Sequence, residues 1–118
     1  MTVFLWILQI LLALVFLASG LTKLTRPKAR LEPTMAWTQD FSDPMVKTIG
    51  ALEVLAAIGL TVPLATGIAP VFTPLAALGL VALMVGAVLT HLRRKEFPYA
   101  AVPVVLMVLA AIVAIGRF

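Results

Sequence analysis

Of the five acidic residues in the chain, only Glu53 lies inside a long apolar run. A carboxyl group in such a setting supports one of two readings. It can be the polar centre of a site between helices, holding a ligand's hydrogen-bonding group or passing a proton. It can instead stay uncharged, bond a serine or threonine, and fix helix packing. A charged side chain at membrane depth costs at least ~2.5–3.5 kcal/mol on insertion scales, so it must be paired, hydrated or protonated. Lys23 closes the preceding apolar run and is the candidate partner. It can reach inward to Glu53 or turn outward to lipid phosphates, the usual behaviour of a lysine at a helix end. Ser19 lies one turn deeper than Lys23, and Thr90 and His91 end the third apolar run. Together Glu53, His91, Lys23, Ser19 and Thr90 form the candidate ligand-binding set.

The remaining chemistry is narrower. His91 is the only histidine, so one chain cannot build a bis-histidine haem site or a multi-histidine metal site. It can relay a proton or bind a ligand oxygen, or be an interfacial histidine with no special role. The absence of cysteine removes iron–sulfur ligation, disulfides and thiolate catalysis by this chain. No metal, haem or iron–sulfur cluster is therefore expected; a quinone or lipid is the expected bound molecule, if there is one. Arg93, Arg94 and Lys95 form a basic run suited to membrane topology and to anionic-lipid contact. Gln9 and Arg117 show no partner motif. No phosphate loop, catalytic triad or metalloprotease helix is present, so an enzyme acting alone is not expected.

The elements that hold these residues are set by composition. The chain has 118 residues, 63% hydrophobic and 12% charged, with a mean hydropathy of +1.15. A soluble domain has roughly 45–50% apolar and about 25% charged residues, so the solvent for most of this chain is lipid. A helix needs about 20 residues to span a bilayer core. Four runs meet that length, at about 3–22, 44–64, 74–91 and 98–116. They use most of the chain and leave a single unit. The runs lack the period-two alternation of a membrane barrel. The predicted fold is an all-α membrane protein, a four-transmembrane-helix bundle with short loops.

Ser42-Asp43-Pro44, Thr73-Pro74 and Phe97-Pro98 open the second, third and fourth spans as helix-start signals. Pro103 falls near the start of the fourth as a kink site. If the second helix starts at Pro44, Glu53 lies about 13 Å along it, inside the hydrocarbon. Between the first two spans Leu31, Met35, Trp37 and Phe41 fit one side of a short interfacial helix. Ala82, Gly86 and Thr90 recur every four positions in the third span, as do Ala110 and Ala114 in the fourth, and suggest helix contacts.

Eight of the nine basic residues fall in or beside the connections 1–2 and 3–4, and only Arg117 lies at the opposite face. By the positive-inside rule those connections are cytoplasmic and both termini are outside, in a multi-pass inner or plasma membrane protein. The same rule accounts for the net charge of +4 without nucleic acid as a partner. Leu21 to Arg26 weakly echoes Leu89 to Arg94; two copies of a helix pair would produce this, and so would chance among six residues at membrane exits, which is the preferred reading.

Four stretches in this order resemble the DoxX-like family of small bacterial membrane proteins over nearly the whole chain. They are Ala18-Ser19-Gly20-Leu21-Thr22-Lys23-Leu24, Gly50-Ala51-Leu52-Glu53, Ile58-Gly59-Leu60-Thr61-Val62-Pro63 and Leu89-Thr90-His91-Leu92-Arg93-Arg94-Lys95-Glu96. The resemblance implies the four-helix membrane bundle. It also implies a role among accessory subunits of quinone-linked or other membrane redox complexes, or among assembly factors. Without cysteine, a thiol-redox role is not expected here. Lys23, Glu53 and His91 match the family's polar positions, but no catalytic role transfers to them. The leading expectation is an accessory subunit or assembly factor with membrane lipids and a membrane-protein partner or a second copy around it. The alternatives are a binding protein for a quinone or lipid around Glu53, and a small proton-coupled exporter.

Overall fold

The computed structural model describes residues 2–26 and 41–117. They form four helices: α1 (Thr2–Thr25), α2 (Asp43–Thr66), α3 (Phe72–Arg93) and α4 (Phe97–Arg117). Each is long and apolar enough to cross a membrane. The bundle is 40 Å along its longest axis, more than the ~30 Å of a hydrocarbon core. The interfacial segment expected from Leu31, Met35 and Trp37 lies outside the described residues.

α1 packs on α2 and α3 packs on α4; α2 meets α3, while α1 touches α4 less extensively. Leu8, Leu12 and Phe16 of α1 join Leu60 of α2, Leu80 of α3 and Val113 of α4 in one apolar core. Ala110 and Ala114, the small residues expected at a contact, are buried in it. Outward positions such as Ile7, Leu55, Leu78 and Val105 are large, apolar and exposed, as a lipid-facing surface requires.

The helix ends follow local chemistry. Ser42 caps α2, its hydroxyl accepting from Met45 N at 3.3 Å, and Pro44 occupies the first turn. Gly67, at φ 72°, closes α2 in the left-handed conformation that costs glycine least. α3 departs from expectation at its start. It begins at Phe72, and Thr73 does not cap it but donates its hydroxyl to Gly59 O at 2.9 Å. Pro63 explains the change, because proline has no N–H to give the carbonyl four residues back. Thr73 satisfies that carbonyl from the neighbouring helix.

α3 ends with Lys95 at φ 58°, and Lys95 N and Glu96 N donate to Leu92 O and His91 O. This pair of bonds is a Schellman closure. It turns the chain directly into α4, in whose first turn Tyr99 N and Ala100 N both donate to Glu96 O.

Candidate functional site

A close approach of α1 to α2 at two glycines positions the site. A Cβ added to Gly20 would lie 2.6 Å from Gly50 O, and one added to Gly50 would lie 2.8 Å from Lys23 Cβ. Any side chain at either glycine would push α1 off α2. Because the helices touch here, Lys23 one turn beyond Gly20 faces α2 rather than lipid, and it is buried. The outward reading of Lys23 is thus replaced by the inward one.

Lys23 Nζ donates to Glu53 Oε1 at 2.5 Å and to Ser19 Oγ at 2.7 Å. The side chains of Lys23 and Glu53 are only 8% and 3% exposed. Removing two charges from water is repaid only where geometry is good and further hydrogen bonds complete the pair. Ser19 supplies one of these. Lys47 fixes the exit of α1 by donating to Lys23 O at 2.7 Å and Arg26 O at 2.6 Å. It takes over carbonyls that a helix C-terminus leaves without partners.

Beside the pair lies a cleft of about 1080 Å³, walled mainly by α2 and α3 and backed by α1 and α4. Its walls are apolar, with Leu52, Ala56, Leu75, Leu83, Met84 and Leu106 among them. Ser19, Lys23, Glu53, Thr90 and His91 all line it, at the basic end. The five candidate residues, drawn from three helices, therefore border one space.

Their roles differ. Thr90 spends its hydroxyl proton on Gly86 O of its own helix, at 2.8 Å. His91 Nδ1 is 3.1 Å from Glu96 Oε1, and Arg94 Nε is 3.4 Å from Glu96 Oε2. A carboxylate only accepts, so the imidazole carries its proton on Nδ1. In the basic run, Arg94 folds back to Glu96 while Arg93 and Lys95 stay exposed.

Small residues expected at helix contacts serve another purpose in α3. Ala82, Gly86 and Thr90 line the cleft, and a Cβ built on Gly86 or Gly79 would meet nothing within 4 Å. Towards the opposite end α2 and α3 approach each other, and a Cβ on Gly59 would stand 2.9 Å from Ala76 Cβ. The helices meet at that end and part towards the basic end, and the cleft is the space left between them.

A family model described as the DoxX-like family matches residues 7–113. The chain belongs to the DoxX-like family. No curated protein and no solved structure gives a match. In this DoxX-like chain the matched stretch contains Ser19, Lys23, Glu53, Thr90 and His91, every polar residue named at the cleft.

A second polar cluster went unread in the sequence. Gln9 is fully buried; its Nε2 donates to Leu60 O at 2.6 Å, and its Oε1 accepts from Arg117 Nε at 2.7 Å. Arg117 also stacks over Trp6, 5.5 Å from the ring centroid. Residues more than 100 positions apart meet here, and only the closure of α4 against α1 brings them together. Gln9 and Thr73 thus brace neighbouring carbonyls of α2, Leu60 O and Gly59 O, just before Pro63. The only hint in the sequence is a glutamine inside an apolar helix that also contains no charge until Lys23.

Proposed function

We propose that this DoxX-like membrane protein binds a lipid-soluble amphiphile, a quinone or a lipid, in the cleft between α2 and α3. One observation carries the reading: an apolar cleft of about 1080 Å³ ends on a buried Lys23–Glu53 pair. Small-molecule sites are typically ~300–1,000 Å³, apolar-walled, with a few placed polar groups. A tail would lie along α3, which lines the cleft from Phe72 to His91, a rise of about 28 Å at 1.5 Å per residue. The polar head would meet Ser19, Glu53 and His91. The distribution of Lys and Arg supports a cell-membrane location with the polar end of the cleft at the cytoplasmic leaflet and both termini outside.

A second reading keeps the protein as an accessory subunit or assembly factor. It is favoured by the open wall at Gly79 and Gly86, where a partner's transmembrane helix could approach closely. Export gains less support, because Leu12, Phe16, Leu60 and Leu80 pack the bundle beyond the polar end.

Native mass spectrometry of protein extracted gently from its own membranes separates the two readings. The expected result is a bound small molecule whose occupancy falls in Glu53→Gln. A stoichiometric protein partner with no small molecule would favour the accessory role and reduce Glu53 to a packing residue.

A further inference from the structure

We infer that the amphiphile held in the cleft carries a hydroxyl head, as a long-chain alcohol, an acylglycerol or a quinol does, in preference to an ether, a ketone or a carboxylate. The inference rests on the binding reading above and concerns which hydrogen bonds the cleft leaves open. Glu53 Oε1 is taken by Lys23, whereas Oε2 has no hydrogen-bond partner among the described residues. His91 directs its Nδ1 proton at Glu96, so in the neutral ring Nε2 is left as a lone-pair nitrogen; it too has no partner among the described residues. Both residues line the cleft, and both present acceptors.

The donors near them are committed or few. Thr90 gives its proton to Gly86 O. Ser19 Oγ accepts from Lys23, which leaves the serine's own proton for a ligand oxygen. A head that donates to Glu53 or His91 and accepts from Ser19 completes the set, and a hydroxyl does both.

Other heads fit less well. An ether or ketone can only accept, so once it covers the cleft it leaves Glu53 Oε2 without a donor, and a covered acceptor without a partner is costly. A carboxylate would face Glu53 across a space already holding one negative charge for each positive one in the Lys23–Glu53 pair. Like charges at close range in a weakly polar setting repel strongly.

The test is a native mass spectrometry titration of the full chain in detergent micelles with three probes of equal chain length: hexadecan-1-ol, methyl hexadecyl ether and hexadecanoate. The alcohol is expected to bind at least about tenfold tighter than the ether, the scale of an unmet buried hydrogen bond. In Glu53→Gln the amide oxygen can keep Lys23 while its NH₂ replaces Oε2, so the alcohol-to-ether ratio should fall towards one. His91→Phe removes the second acceptor without touching the core cluster and should lower the same ratio, which keeps the test usable if Glu53→Gln misfolds. Equal binding of alcohol and ether by the unaltered protein would overturn the hydroxyl assignment and leave the cleft as a binding site. Tightest binding of hexadecanoate would overturn the assignment as well. Binding of none of the three would overturn the binding reading itself, and the inference with it.

Discussion

Replacing Lys23 with methionine would leave the Glu53 carboxyl without its cation in a position only 3% exposed. Removing one partner of a buried pair costs about 3–5 kcal/mol, and a lone charge at membrane depth costs at least ~2.5–3.5 kcal/mol on insertion scales. These ranges meet near 3 kcal/mol, more than a hundredfold in the unfolding equilibrium at about 1.4 kcal/mol per decade. The converse change is expected to cost less. In Glu53→Leu the remaining lysine is two residues from the end of α1 and can swing its long side chain outward to the interface. About 1.5–3 kcal/mol is the expected loss, set by the hydrogen bond to a charged group that disappears. The double variant Lys23→Met/Glu53→Leu leaves neither charge, and should return to within about 1 kcal/mol of the unaltered protein. The assay is unfolding in mixed micelles with rising SDS, followed by the fluorescence of the two tryptophans. Costs that simply add in the double variant, or a Lys23→Met variant as stable as the parent, would refute the argument that these two residues form one buried unit.

Other consequences follow from the same contacts. Thr73→Val should lose about 0.6–1.7 kcal/mol, the range for hydrogen bonds between membrane helices, because Pro63 leaves Gly59 O with no other donor from its own helix; the same SDS titration measures it. Gly20→Ala should separate α1 from α2, since its Cβ would stand 2.6 Å from Gly50 O. In a chain with no native cysteine, the crosslinking rate between a cysteine pair placed across that contact should fall several-fold, and an unchanged rate would mean the helices do not touch there.

The sequence by itself determined that this is a four-helix membrane protein, where each helix starts to within a few residues, and that it belongs to the DoxX-like family. Those features rest on local quantities: the length of apolar runs, capping side chains before prolines, and a run of short motifs in a fixed order. It also marked Glu53, Lys23, Ser19, Thr90 and His91, because polar groups in apolar surroundings stand out without knowledge of the fold. The choice between partners was not local. Whether Lys23 turns to lipid or to Glu53 depends on how closely α1 approaches α2, and the glycines that permit it, Gly20 and Gly50, are 30 residues apart. Thr73 reads as a cap by its position before a proline and is instead a brace for α2, because the carbonyl it satisfies belongs to another helix. Ala82 and Gly86 have the spacing of a helix contact, yet they line a cleft, since spacing along one helix does not say whether a neighbour is present. Gln9 and Arg117 could be joined only by the closure of the bundle. Helix formation is decided within a few turns of the chain, whereas a site between helices is decided by which surfaces meet, and that information is spread over the whole sequence.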